Sequence, residues 1–282
     1  MPEKKNLKKT TQRNKPIGIF DSGFGGLTVM SALAKMLPAE NMIYFGDSAH
    51  VPYGSKSKEA VIGFSKSIAD FLISKDVKMI VVACNTASAF ALPVLQKTLK
   101  VPVVGVIEPG AKTAVRATKN KKIGVIGTEG TVNSRSYEKA IKKISNCSVY
   151  AKACPLFVPL VEEGWCSGEI AEDVAGIYLK PLAAKKIDTL VLGCTHYPLL
   201  KKTIAKTAGT NIELIDSAAA TANEVKDILA ENGLIASRKT AGRRSFYASD
   251  NPEKFKKIGG SFFCGKIDKV KKANLEAEKL GS

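Results

Sequence analysis

The sequences MIVVACNTAS at residues 79–88 and TLVLGCTHYP at residues 189–198 decide the fold of this chain. Each is an apolar run of strand length that ends on a cysteine, Cys84 in the first and Cys194 in the second. Such a run, followed by turn-forming residues, predicts a strand that is buried on both faces of a parallel sheet. We therefore expect each cysteine where a strand ends and a helix begins, which is where open α/β sheets bind ligands.

The residues after the two cysteines predict the start of a helix. Asn85 and Thr195 belong to residue types that commonly cap helix N-termini. The positive end of a helix dipole beside a cysteine favours the thiolate form of its side chain. Both cysteines are therefore candidate reactive thiols, although a single buried cysteine is often only a small apolar core residue.

The two cysteine stretches belong to a longer internal repeat. PIGIFDSGFG at residues 16–25 matches KIGVIGTEGT at residues 122–131, because each is a short apolar strand that runs into a turn containing Ser or Thr. The end of this strand lies 63 residues before the cysteine in the first copy and 67 residues before it in the second. The matching order and spacing predict two homologous halves, and cysteines at equivalent positions of a repeat favour a functional role over simple packing.

Length and element order indicate the fold class. A chain of 282 residues exceeds the size that a single core usually reaches, so we expect two domains. Strands alternate with helices throughout, which predicts an α/β protein with two pseudo-symmetric sandwich domains, mainly parallel sheets and a site in the cleft between them. We expect a disordered basic arm at residues 1–15, a first domain at residues 16–110 plus 222–282, and a second domain at residues 111–221.

Several segments have a distinctive local pattern. Residues 87–99 predict one helix, and residues 154–164 predict an irregular segment because they carry two prolines. Residues 245–249 have the pattern of an edge strand. Residues 108–110, with the sequence Glu-Pro-Gly, are the expected crossing between the domains and a candidate hinge.

The chain is strongly basic, with a formal net charge of +17. That charge raises the hypothesis of a nucleic-acid partner. The basic residues are concentrated near the two ends of the chain, with no nucleic-acid-binding motif and no aromatic residues interleaved among them. A solvated basic surface that attracts anionic substrates is the better interpretation, and we expect no nucleic-acid partner.

The sequence also indicates the compartment. No apolar run is long enough to span a membrane, and the Lys-rich N-terminus lacks the apolar core of a secretory signal. The chain has six cysteines but no C-x-x-C pair, a pattern that predicts reduced thiols. We expect a cytoplasmic protein without membrane contact.

Two cysteines on opposite sides of a cleft suit one particular reaction. One thiolate removes a proton from one face of a carbon stereocentre, while the opposite thiol delivers a proton to the other face. A thiol pKa near 8.5 needs only a modest shift to supply both forms near neutral pH. Asp21 in the first half and His196 beside Cys194 are candidates to move the protons, and Glu162 is a third.

Three other interpretations remain open. Cys194 and His196 have the spacing of half a zinc site, which would need further ligands such as Cys84 or His50. Cys84 is also a candidate nucleophile of an amidase or phosphatase, with Asp21 and His196 completing a triad, but the second cysteine is then unexplained. A redox pair is the third interpretation, although the two cysteines come from distant segments.

Five motifs occur in order along the chain: IFDSGFGGLT (19–28), VPYG (51–54), VACNTA (82–87), FVPLVE (157–162) and LGCTHYP (192–198). As a set they closely resemble the motifs of the glutamate racemase family, over about residues 17–250. The resemblance implies a bacterial enzyme that needs no cofactor and supplies D-glutamate for peptidoglycan. The basic N-terminal arm and the Lys-rich C-terminus look unlike a typical member.

The resemblance also implies roles for particular residues. It makes Cys84 and Cys194 the two acid/base thiols, each acting on one enantiomer. Asp21 and His196 would assist them, with Glu162 near the His196 side. The implied substrate contacts are Asp21, Ser22, Tyr53, Gly54, Asn85, Thr86, Thr195 and His196. No metal is implied, so desolvation in a closed cleft and matched hydrogen bonds must make a weakly acidic proton removable.

The nearest alternative within this resemblance is aspartate racemase, which shares the two-cysteine plan. The forms Asp-Ser-Gly-x-Gly-Gly and Gly-Cys-Thr-His-Tyr-Pro favour glutamate. We therefore expect D- or L-glutamate as the small-molecule partner. No subunit interface is legible in the sequence, which leaves a homodimer open.

Overall fold

The computed structural model describes residues 12–275, which form two parallel β-sheets with helices packed on their faces. The first sheet contains β1 (Ile17–Asp21), β2 (Met42–Gly46), β3 (Met79–Val82), β4 (Val103–Gly105), β9 (Arg244–Ala248) and β10 (Val270–Lys272). The second sheet contains β5 (Lys122–Gly127), β6 (Ser148–Ala153), β7 (Thr189–Gly193) and β8 (Glu213–Asp216).

Helices connect most of these strands. Those of the first half are α1 (Leu27–Met36), α2 (Lys58–Ser74), α3 (Asn85–Phe90), α4 (Leu92–Thr98) and α5 (Ile107–Ala117). The following ones are α6 (Glu129–Asn133), α7 (Ser136–Ile144), α8 (Phe157–Glu162), α9 (Glu169–Ala183), α10 (Lys201–Ala208), α11 (Ser217–Glu231) and α12 (Pro252–Gly259). Short 3₁₀ turns lie at Tyr53–Ser55 and Tyr197–Leu200.

The two sheets repeat one strand order. The first has the order β10-β9-β2-β1-β3-β4, and the second has the order β6-β5-β7-β8. The run β2-β1-β3-β4 therefore matches the whole second sheet strand for strand, and every pairing in both sheets is parallel. This arrangement confirms the predicted fold class, two α/β units with mainly parallel sheets.

The central strands are apolar because helices cover both of their faces. β1, β3 and β7 are buried along their full lengths. A strand with two buried faces reads as a continuous apolar run instead of an alternating one. The two cysteine stretches are therefore recognisable from sequence because each follows one of these central strands.

The helical segment after Cys84 differs from the prediction in its capping residue and in its division into two helices. Cys84 itself caps α3, since its sulfur accepts a backbone N–H from the first turn at 3.4 Å. Asn85 is the first helical residue and not the cap. The single helix expected over residues 87–99 is divided at Ala91, because Pro93 lies in the first turn of α4 and has no N–H to continue the earlier helix.

The segment after Cys194 also differs from the prediction, because Thr195 does not cap a helix. His196 precedes the 3₁₀ turn that leads into α10. The Thr195 hydroxyl donates instead to Asp21, in the other half of the molecule.

Two further local predictions are wrong. Residues 154–164 are not irregular throughout, because α8 forms within them and places Pro159 in its first turn, where a missing N–H costs little. The strand predicted at residues 245–249 does form as β9, but it is not an edge strand. β9 pairs with β2 on one side and with β10 on the other.

The chain crosses between the two sheets in α5 and α11, which pack against each other. The boundaries predicted between residues 110 and 111 and between residues 221 and 222 fall inside these helices. Residues 108–110, the expected crossing between the domains, form the first turn of α5, where Pro109 is tolerated. After α11 the chain returns to the first sheet and supplies β9 and β10.

The basic arm expected at residues 1–15 falls largely on residues 1–11, which lie outside the described residues. Its last four residues are attached to the fold, which differs from the expected disorder. Asn14 accepts a hydrogen bond from the Asn41 side chain at 2.9 Å, and Arg13 donates to the carbonyl of Gly233 at 2.9 Å. Within residues 12–275, none of the helices has the length and apolar character needed to cross a membrane.

Candidate active site

The carboxyl ends of the central strands face each other between the two sheets, and the two cysteines lie there. Cys84 follows β3 and is 5% exposed, while Cys194 follows β7 and is 7% exposed. Burial, followed by the charge of Asp21, raises the pKa of Cys84 to about 12, and the charge of Cys194 acts in the same direction. The two thiols therefore share one enclosure, and Cys84 is protonated at neutral pH.

The surroundings of Cys84 come from the first half of the chain. Its thiol lies 3.7 Å from the hydroxyl oxygen of Ser22, in the turn that follows β1. Among the described residues, Asp21 accepts from Gly23 and Thr195 and acts on this thiol through its charge. The residue that touches Cys84 on this side is thus Ser22, which the family resemblance implies to be a substrate contact.

Cys194 has a different neighbour. Its sulfur lies 3.9 Å from Nδ1 of His196, and Nε2 of the same ring lies 3.1 Å from a carboxylate oxygen of Glu162. Burial lowers the pKa of His196, but the hydrogen bonds to Cys194 and Glu162 outweigh it and raise the pKa to about 10. The imidazole is therefore protonated at neutral pH and places a positive charge beside the Cys194 sulfur.

Asp21 links the two halves across the cleft. One of its oxygens accepts the hydroxyl of Thr195 at 3.3 Å, and the other accepts the backbone N–H of Gly23 at 2.9 Å. Burial raises the pKa of Asp21, and the charge of His196 opposes that rise. The Cys84–His196–Asp21 triad of the hydrolase interpretation is not formed, because the partners of His196 are Cys194 and Glu162.

The glycine-rich turn after β1 permits this close approach. A methyl group on Gly25 would lie 2.3 Å from the hydroxyl oxygen of Thr195 and 2.6 Å from Nδ1 of His196. Real side-chain atoms cannot approach so closely, so the turn tolerates only glycine at this position. The turn therefore closes the cleft on the Cys194 side.

The other wall of the cleft contains a cluster of three threonine hydroxyls. Thr86 lies 2.8 Å from Thr128 and 3.2 Å from Thr131, oxygen to oxygen, and the last two are 3.1 Å apart. Gly54 packs against the same cluster, since a methyl group on it would lie 2.5 Å from Thr128. Thr128 and Thr131 were not predicted as site residues, although the internal repeat aligns their turn with the one containing Ser22.

Tyr53 is held by a buried carboxylate that the sequence did not single out. Its hydroxyl donates to Asp47 at 2.5 Å, and the same carboxylate accepts the Ser249 hydroxyl at 2.7 Å. Nδ1 of His50 lies 2.9 Å from Asp47. Asp47 thus connects the loop that carries Tyr53 and Gly54 to Ser249, at the end of β9. His50 contacts Asp47 in this loop and does not lie beside the cysteines.

A small cavity of about 240 Å³ opens beside this cleft. Its lining residues are Pro52, Gly54, Ser55, Thr128, Glu129, Pro155, Val158, Pro159, Glu162 and Glu163. Gly54, Thr128 and Glu162 line both this cavity and the cleft, so the cavity adjoins the site without being lined by either cysteine.

The residues predicted for the site are therefore brought together from both halves of the chain. The zinc interpretation finds no support, because no group of three or more His, Cys, Asp and Glu side chains among residues 12–275 could hold a metal ion. Cys84 and Cys194 are both free thiols.

Comparison with known proteins places this site in a family. Residues 17–225 match the family model for Asp/Glu/Hydantoin racemase. A glutamate racemase of Geobacter metallireducens is 53% identical over 266 residues, which cover 94% of this chain and 98% of that protein. A glutamate racemase of Neisseria meningitidis is 49% identical over 93% of this chain and 98% of that protein.

The structural comparison agrees. The crystal structure of glutamate racemase from Francisella tularensis in complex with D-glutamate superposes with a TM-score of 0.88 at 40% identity, covering 94% of this chain and 99% of that one. These similarities extend over nearly the whole chain and include both cysteine stretches. The chain belongs to the Asp/Glu/Hydantoin racemase family, and it is an amino-acid racemase, an isomerase.

Proposed function

We propose that this protein interconverts L- and D-glutamate with Cys84 and Cys194 as its two acid/base groups. The observation that carries the proposal is the placement of one buried thiol on each half of a duplicated fold, within one cleft. The choice of glutamate as the substrate is supported by relatives that are named glutamate racemase and are 49–53% identical to this chain. The product D-glutamate would serve peptidoglycan synthesis.

The surroundings of the two thiols suit one direction of proton transfer. His196 is protonated and lies against the Cys194 sulfur, where its charge would stabilise a thiolate, while Cys84 is a neutral thiol. The thiolate of Cys194 takes the α-proton from one face of glutamate, and Cys84 gives its proton to the opposite face. Cys84 is then the thiolate and Cys194 the thiol, which is the form that acts on the other enantiomer.

The walls of the cleft supply the groups that hold a dicarboxylic amino acid. Hydroxyls of Ser22, Thr86 and Thr195 and the amide of Asn85 are all buried and can donate hydrogen bonds to carboxylates. Exclusion of water strengthens these interactions. They must stabilise the negative charge that develops as the α-proton leaves.

The test is exchange and racemisation of D-glutamate in deuterated buffer, without pyridoxal phosphate or metal. We expect loss of optical rotation together with deuterium at Cα for the wild type. Cys84→Ser and Cys194→Ser should each lower the rate of racemisation by at least about a thousandfold, because a serine hydroxyl is a far weaker acid than a thiol. L-Aspartate in a parallel assay serves as the substrate control.

Racemisation that persists in either variant would contradict the two-thiol mechanism. Deuterium exchange with aspartate but not with glutamate would support the two-thiol chemistry and show that the substrate is aspartate. Inactivity with both amino acids would overturn the proposed function.

A further inference from the structure

Tyr137 reaches across the domain boundary to a residue beside Cys84. It lies in the first turn of α7, in the second half of the chain, and is 3% exposed. Its hydroxyl donates to the side-chain oxygen Oδ1 of Asn85 at 2.8 Å. Asn85 directly follows Cys84 and is itself 3% exposed.

The other end of the Asn85 amide has no partner. Among the described residues its Nδ2 group is buried without a hydrogen bond. A buried N–H group that is left without an acceptor is energetically costly, so such groups are rare in folded proteins. Because Tyr137 donates to Oδ1, the amide is oriented with Nδ2 away from the phenol, as a donor that needs an acceptor.

The position of the Tyr137 ring is fixed by the backbone around it. A methyl group on Gly193, which precedes Cys194, would lie 3.1 Å from the ring. A methyl group on Gly110, in the first turn of α5, would lie 3.2 Å from the hydroxyl oxygen, and Ser217 at the start of α11 lies beside Gly110. Tyr137 therefore sits where both connections between the domains meet the end of β7.

We infer that Tyr137 is a positioning residue, whose hydroxyl orients the Asn85 amide so that Nδ2 donates to a carboxylate of the bound amino acid. This inference rests on the proposed function. It adds that the second half of the chain controls a substrate contact made by the first half. Nδ2 is a hydrogen-bond donor, and glutamate carries two carboxylates that can accept from it. The acceptor in this inference is therefore a carboxylate.

The test is Tyr137→Phe, which keeps the ring and removes only the hydroxyl. We expect KM for both enantiomers to rise about tenfold while kcat changes less than about threefold. The matched control is Tyr178→Phe, which removes another phenol of the second half, one that accepts the Leu156 N–H at 3.4 Å. It should leave KM unchanged, and a Tyr137→Phe protein with an unchanged KM would overturn the inference.

A double-mutant cycle separates positioning from general destabilisation. If Tyr137 acts through Asn85, then Tyr137→Phe combined with Asn85→Ala should have the same KM as Asn85→Ala alone. Independent, multiplying effects on KM would contradict the inference. Thermal unfolding of each variant establishes that the proteins compared are folded.

A second variant keeps the inference testable if Tyr137→Phe does not fold. Asn85→Asp retains an acceptor for the Tyr137 hydroxyl but lacks the Nδ2 donor, so KM should rise at least tenfold with Tyr137 intact. An unchanged KM in this variant would also overturn the inference. A wild type that does not racemise glutamate would instead refute the proposed function, which makes the two failures distinguishable.

Discussion

Cys84 and Cys194 occupy equivalent positions of the repeat but have unlike neighbours. Cys84 is next to a hydroxyl and close to a carboxylate, whereas Cys194 is next to a protonated imidazole. The two thiols therefore have different electrostatic surroundings, although the proposed mechanism requires each of them to hold a proton in turn. The difference comes from Ser22 after β1, from His196 in the second cysteine stretch and from Glu162 in α8.

The raised pKa of His196 predicts how stability depends on pH. The group binds its proton more tightly in the folded protein, with a pKa of about 10 against an ordinary value of 6.5. Its contribution to the free energy of unfolding is therefore fully present below about pH 6.5 and is lost as pH rises towards 10. Urea unfolding of wild type and His196→Gln should show a difference that shrinks over this range.

The slope of that difference is limited to about 1.4 kcal/mol per pH unit, since one proton is involved. Comparison with the variant removes the contribution of other groups that titrate at alkaline pH. A difference between the two proteins that stays constant from pH 6.5 to 10 would contradict the assignment of a protonated His196.

Sequence reasoning finds some site residues and misses others for a physical reason. The cysteines, His196 and Asp21 stand at or just beyond the ends of strands in recognisable motifs. Tyr137 acts through its contact with Asn85, which is 52 positions away in the sequence, and Asp47 acts through Tyr53, which is 6 positions away. Neither Tyr137 nor Asp47 belongs to a motif of its own. Contacts of this kind depend on how elements pack, which no local pattern encodes.

At the scale of elements, the first sheet is completed by strands from the end of the chain. β9 pairs with β2, and the residue after it, Ser249, is hydrogen-bonded to the loop that carries Tyr53 and Gly54. The Ser249 hydroxyl also accepts the backbone N–H of Ala49 at 2.9 Å. The last part of the chain therefore supports one wall of the cleft.

Ser249→Ala tests this support. It removes both hydrogen bonds of the hydroxyl, so we expect the free energy of unfolding to fall by about 1 kcal/mol. We also expect KM for glutamate to rise about threefold, because the loop loses a fixed contact. Steady-state kinetics and urea unfolding measure the two effects, and Ser245→Ala on the same strand is the control. Equal kinetics for the two variants would show that β9 does not support the loop.

Elements with two buried faces could be predicted well, and elements set by tertiary contacts could not. β3 and β7 follow from their apolar runs. The position of β9 inside the sheet depends on β10, whose three residues carry little signal. Pro159 suggested a break in the chain, but its place in a first turn makes it compatible with α8.

At the scale of the whole molecule, a buried ion pair joins distant segments on the side of the first sheet where its strands begin. Lys78 and Glu40 are both almost fully buried and hydrogen-bonded to each other. Lys78 also donates to the carbonyls of Arg13 at 2.6 Å and Leu234 at 2.8 Å. Burial lowers the pKa of Lys78, and the bond to Glu40 opposes that change.

Glu40→Gln should therefore be strongly destabilising. It leaves the Lys78 charge buried without its partner, and such a change typically costs about 3–5 kcal/mol. Urea unfolding measures the loss, and Glu172→Gln, at the more exposed pair with Lys206, is the control with an expected cost below about 1 kcal/mol. Equal costs for the two variants would contradict a structural role for the buried pair.

The two-half architecture could be predicted because the repeat is legible in the sequence, and the first crossing is expected at residues 108–110, which lie in α5. That both crossings are made within helices could not be predicted. The chain passes between the halves within α5 and α11, whose packing against each other is a tertiary property. Residues 108–110 contain Pro and Gly, which locally favour a turn, yet the packed helix includes them.

The shared strand order of the two sheets has an evolutionary consequence. A single half-length ancestor that paired with its own copy would have placed two identical thiols across a twofold axis. Such a symmetric site is suited to a reaction whose substrate and product are mirror images. In the present chain the strand order is still shared, but Ser22 lies beside one thiol and His196 with Glu162 beside the other. The asymmetry around the thiols is therefore carried by side chains placed on a common backbone plan.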